Sequence, residues 1–187
     1  MILLTLGVLL FTLTHLYPCF APDHRIRLRE RLGEHRYKGL FSLVLFIGIA
    51  CIIAGWRTSS PLPLYFLPAW GPTLMMAVMP IALILFCSGQ GPNHLRRWLV
   101  HPQLLGTLLW AGAHLAVNSE ARSLVLFGGI GLWALVSIVW ISVRDWQRYP
   151  RPVANWYGTG LSVGAGLALT ALLIFWGHGM LTGIPLY

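Results

Sequence analysis

Six long apolar runs, separated by short polar loops, leave this chain few ways to fold. They occupy Ile2–Phe20, Leu40–Trp56, Trp70–Cys87, Trp98–Asn118, Leu124–Val143 and Trp156–Leu181. Each is near the roughly 20 residues that a helix needs to cross the hydrocarbon of a bilayer. Lipid offers no partner to an unpaired backbone group, so such runs must be helical. The spacing therefore predicts an all-α fold, a single domain over residues 1–187 built as an integral membrane bundle of six transmembrane helices. With 57% hydrophobic and 10% charged residues, the chain carries more apolar surface than a soluble domain of its length can hide.

Charge gives the orientation. Lys and Arg number six in 21–39, one in 57–69, two in 88–97, one in 119–123 and three in 144–155, so eleven of the 13 fall in alternate loops. Those loops are expected in the cytoplasm, which puts both termini outside and makes the chain a multi-pass membrane protein. The net charge of +8 is thus a topology signal. No basic segment is interleaved with exposed aromatics, and nucleic acid is not an expected partner. The first run has no positive residue ahead of it, and Tyr17 and Pro18 precede Cys19 where a lipoprotein cleavage site needs small residues. It reads as a retained span. Cys19, Cys51 and Cys87 form no CxxC pair and read as packing residues.

Two loops have character of their own. HRIRLRERLGEHRYKG sets Ile26, Leu28 and Leu32 among charges, as a short interfacial helix would, and Glu34–Lys38 is a favourable helix pair. RTSSPLPLYFLPAWGP is rich in proline and aromatics and is expected to cover the outer end of the bundle.

The fourth run, HPQLLGTLLWAGAHLAVN from 101 to 118, holds polar groups at several depths. At about 100° per residue Gln103, Thr107, His114 and Asn118 fall within about 40° of one another, with Trp110 beside them. Polar groups facing lipid are costly, so this stripe should turn into the bundle. His101 lies on another side, before Pro102, and reads as a histidine at the helix entrance. In the sixth run Gly160 and Gly164 form a GxxxG pair that permits close helix approach. The same face is expected to continue through Ala171 to His178. His15, after Thr12 and Thr14, is the third interior histidine.

The five acidic residues, Asp23, Glu30, Glu34, Glu120 and Asp145, all lie in loops or at the ends of runs. A carboxylate-bridged di-iron site, a buried proton-relay pair and zinc hydrolysis all need a carboxylate in the core. Histidines converging in an apolar, aromatic bundle without one suit haem b. The plainer reading is that each imidazole hydrogen-bonds a neighbouring helix. Candidate iron ligands are His15, His114 and His178, with Gln103, Thr107, Trp110 and Asn118 lining the pocket or orienting the His114 ring. By depth along the helices His114 pairs better with His178 than with His15. Arg57 and Arg122, or Arg96 and Arg97, are candidate propionate partners.

THLYP around His15, RLGEHRYKGLFSLV at 31–44, HPQLLGTLLWAGAHLAVN and the closing HGMLTGIPL give the chain a specific look. Together they resemble the NnrU family, bacterial membrane proteins linked to nitrite and nitric oxide reduction and related to zeta-carotene isomerase. The resemblance implies haem b held by residues matching His15 and His114, with His178 also matched, and redox-dependent ligand exchange at the iron. It implies a role in denitrification or related redox chemistry, with membrane redox or nitrogen-oxide reductase proteins as partners. Isomerisation of a polyene is the alternative, with an apolar small molecule as substrate. The isomerase has one more histidine after the second span, where this chain reads GWRTSSPLP. HPxxxG also resembles membrane methyltransferases of the isoprenylcysteine type. Here Val100 and Leu104 stand in place of their arginine and tyrosine, and RDWQRYPRP replaces their acidic pair.

Overall fold

The computed structural model describes residues 1–145 and 153–186. Arg148 and Arg151, two of the three loop cations counted in 144–155, lie outside them, as does most of RDWQRYPRP. Among the described residues the fold is all helix, with one isolated bridge, Pro63 to Glu120.

All six apolar runs are helical. Helix α1 is Ile2–Phe20, and α2, Pro22–Leu32, is the short helix expected in the first basic loop. Pro22 opens α2, where a missing N–H costs nothing. Gly33 then turns the chain into α3, Glu34–Thr58, at φ +79, a conformation that favours glycine. Helix α4 is Gly71–Cys87, α5 is His94–Trp98 and α6 is Pro102–Leu115. Helix α7 is continuous from Ala121–Ser123 through a π turn, Leu124–Gly128, into Gly129–Asp145. Helix α8 likewise joins Trp156–Leu172, a π turn at Leu173–Gly177 and His178–Thr182.

Four of these, α1, α3, α7 and α8, are long and apolar enough to cross a membrane. At 17 and 14 residues, α4 and α6 are shorter than the runs predicted for them. The fourth run is cut at its start because the residue before a proline avoids helical angles. His101 sits at φ −133, ψ 62, and Trp98 belongs to the separate α5.

Neighbouring helices pack in the order α3, α1, α7, α6, α4, α8, and the His178–Thr182 end of α8 returns to α3. Close contact depends on glycine. A Cβ on Gly7 would lie 2.7 Å from the Ile52 backbone nitrogen, and one on Gly55 would strike Leu4. The buried core gathers Leu4, Val8, Trp56, Ala111, Leu126, Phe127 and Ile130 from α1, α3, α6 and α7. Leu6, Leu13, Phe46, Leu132 and Val139 point outward, as a bundle in lipid requires.

The small-residue face of α8 differs from the sequence expectation. Nothing lies within 4 Å of a Cβ on Gly160 or Gly164, and Ala171 is exposed. The packed face is Gly158, Ser162 and Gly166, with Gly166 against Ile84 and Gly158 against Pro92. Both sets have small residues at four-residue spacing, and only the fit to α4 chooses between them.

The proline- and aromatic-rich loop covers one end of the bundle, as expected of it. Tyr65 Oη donates to the carbonyls of Leu115 (2.6 Å) and Asn118 (2.8 Å), and the Leu64 amide donates to Ser119. Beneath it Arg122 bonds Glu120 and the carbonyls of Trp56 and Ser59, with its guanidinium 4.4 Å over the Trp56 ring. At the opposite end the Asn155 side chain caps α8, and His94 Nδ1 meets Thr159 Oγ1 at 2.9 Å.

Candidate functional site

His114 stands in the last turn of α6 and is 6% exposed. Its ring stacks on Phe127 of α7, centroids 4.4 Å apart and planes 25° apart, with Trp110 at 5.0 Å. Nδ1 lies 2.8 Å from the Trp110 carbonyl. A carbonyl oxygen only accepts, so Nδ1 carries the hydrogen and Nε2 keeps its lone pair.

His15 repeats the arrangement on α1. Its Nδ1 donates to the Phe11 carbonyl at 2.9 Å, and Phe11, Trp133 and Phe41 surround the ring at 4.3, 5.0 and 6.1 Å. His178 donates from Nδ1 to the Ile184 carbonyl at 2.7 Å. The three predicted ligands therefore share one tautomer, the one in which Nε2 is left to bind a metal. His101 differs. Its Nε2 meets Ser142 Oγ at 3.1 Å at the foot of α6.

The supporting shell is not the expected one. The His114 ring is oriented by the Trp110 backbone, whereas Asn118 Nδ2 bonds the carbonyl of His114 at 2.9 Å. Thr107 is buried but bonds the carbonyl of Gln103. Gln103 is exposed and lies against Gly89 at the other end of the helix. Arg122, offered as a propionate partner, is committed to the outer cover.

Helices α1 and α7 run side by side in parallel, with Val8 beside Gly129, His15 beside Trp133 and Phe20 beside Trp140. Phe127 and Trp133 are six residues apart, about 9 Å of helical rise, so His114 and His15 occupy different levels.

Both π turns adjoin the site. Phe127 lies within Leu124–Gly128, and His178 follows Leu173–Gly177 directly. In an unbroken α-helix His178 would sit about 120° from Gly166. One extra residue in the turn reduces this to about 20° and brings His178 toward the packed face.

Three sequence-remote aromatics, Phe127, Trp133 and Phe41, were not foreseen as walls of the site. One local signal was present. Phe11 and Trp110 each stand four residues before a histidine, the spacing that lays an aromatic ring beside an imidazole on one helix face.

Among the described residues no three of His, Cys, Asp and Glu converge to hold a bare metal ion. A metal carrying its own equatorial ring, as haem iron does, needs only axial nitrogens. Three imidazoles keep Nε2 lone pairs, and His15 and His114 are walled by Phe and Trp, which suits that demand. Trp133 Nε1 and Ser137 Oγ, one turn apart on α7 near His15, are buried without a partner. The family model described as NnrU protein matches residues 3–186.

The chain belongs to the NnrU family.

His15, His114 and His178 all lie within the matched stretch, as do the π turns, so the whole site falls in the NnrU domain. Neither a curated protein nor a solved structure gives a significant match.

Proposed function

We propose that this NnrU protein is a haem b protein of the bacterial inner membrane serving nitrite and nitric oxide reduction or related redox chemistry. The reading rests on one observation. Three histidines on separate helices each commit Nδ1 to a backbone carbonyl and leave Nε2 for a metal. His114 is the first ligand. Depth along the helices supports His178 as its partner, and the family resemblance supports His15. Haem held there by these imidazoles would supply one-electron chemistry. The protein's part is to fix the imidazoles, wall them with Phe11, Trp110, Phe127 and Trp133, and keep water out.

The reading also takes all six apolar helices as crossings with both termini outside. Four meet the length and hydropathy of a span. The alternation of basic loops supports α4 and α6 as the other two.

Absorption spectra of purified wild type and of His15→Ala, His114→Ala and His178→Ala test the haem, with the pyridine adduct identifying it. Wild type should show a Soret band. His114→Ala should lose most of it, and one of the other two should shift it. Wild type purified without haem ends the reading. Carbon monoxide added to the reduced protein then separates roles. An iron that stays closed fits electron transfer or reductase assembly, and one that opens fits nitric oxide sensing or polyene isomerisation.

A further inference from the structure

A crevice of about 260 Å³ opens where the end of α1, α2 and the start of α3 meet. It is lined by Arg25, Arg29, Lys38, Glu34, Tyr37 and Phe41 and carries a net charge of +2. Glu34 bonds Arg29 at 2.7 Å and Lys38 at 2.9 Å across the rim, which leaves Arg25 without a carboxylate of its own among the described contacts. Tyr37 is only 7% exposed, yet its buried hydroxyl has no hydrogen-bond partner, and neither has the buried Nε of Arg25. Buried donors in native proteins are nearly always paired. Two unpaired ones on the same cationic crevice mark a place prepared for an acceptor from outside the chain.

We propose that this crevice binds a phosphate group, presented either by an anionic phospholipid or by a soluble phosphorylated compound. Guanidinium, ammonium and phenol groups all donate, and a phosphate offers oxygens to each of them. The volume is several times the roughly 30 Å³ of one water. The position suits the ligand. The crevice lies at the end of the bundle where basic residues concentrate, beside an amphipathic helix whose Ile26 is exposed, at the depth of lipid headgroups. Phe41 lines the crevice and also stands edge-on to the His15 ring, so an occupied crevice would brace one wall of the histidine site. The proposal does not depend on haem.

The test uses full-length protein in neutral detergent. Its probes are inorganic phosphate and vesicles of phosphatidylcholine with and without phosphatidylglycerol. Readouts are the thermal midpoint and the phospholipid retained, by intact mass. Wild type should prefer phosphatidylglycerol or bind phosphate. Arg25→Gln and Tyr37→Phe should weaken that binding about ten-fold, the scale of a lost hydrogen bond to a charged group. Arg31→Gln, an equal charge loss on α2 outside the crevice, should leave it unchanged. Tyr37→Phe removes only an unpaired oxygen, so it stays informative if Arg25→Gln misfolds. Retention of phosphatidylglycerol without a response to phosphate identifies a lipid headgroup, and a response to phosphate alone a soluble ligand. Either result upholds the site. No preference for either probe, or equal weakening by Arg31→Gln, overturns it.

Discussion

Single atoms decide which glycines matter. A side chain at position 166 collides with the Ile84 backbone, while one at 164 meets open space. Gly166→Leu should therefore cost about 1–3 kcal/mol through overpacking, and Gly164→Leu should be tolerated. Unfolding of both variants in detergent, compared with wild type, checks this, and equal costs would contradict the assigned face. Tyr65 offers a second test. Burial raises its phenol above the ordinary 10.0, and only the protonated phenol donates to Leu115 and Asn118. A group raised on folding stabilises below its unfolded value and stops doing so as pH climbs through the folded one. Proteolysis of the 59–70 loop should stay slow up to about pH 10 and quicken above it. Tyr65→Phe should be cut faster at neutral pH and lose the alkaline step.

Helices were more legible than the contacts between them. Apolar length set all six, charge spacing set α2, and the cost of exposing His114 to lipid placed its ring inside. The π turns could not be read, because LVLFG at 124–128 and LIFWG at 173–177 mix β-branched and aromatic residues with glycine as the rest of these apolar helices do, and the extra residue serves tertiary fit. Nor could the face of α8 be chosen, since Gly158–Ser162–Gly166 and Gly160–Gly164 differ only in what α4 presents to them. Orientation of the His114 imidazole was expected from side chains, whereas the backbone carbonyl four residues back supplies it at His15 and His114. Deleting Ile174 alone should restore an unbroken helix with His178 on its present face, whereas deleting Ile174 and Phe175 together should swing it by about 100°. If His178 is the axial partner, the double deletion should reproduce the spectrum of His178→Ala. An unchanged spectrum would assign the partner role to His15.

For the molecule as a whole, membrane orientation is the open quantity. Alkaline phosphatase fused after residue 64 or at the C-terminus should be active, being carried outside. The same enzyme fused after residue 30 or 92 should be silent. Activity at 92 would mean that α4 does not cross. The histidines themselves have little independent motion. His15 and His114 are each tethered by Nδ1 to the carbonyl four residues earlier on the same rod. The gap between their free nitrogens can change only when whole rods slide or lean, and bilayer thickness governs how far they lean. A thinner or thicker bilayer should therefore act as a tuning screw on these two rings, adjusting imidazole spacing without altering any amino acid.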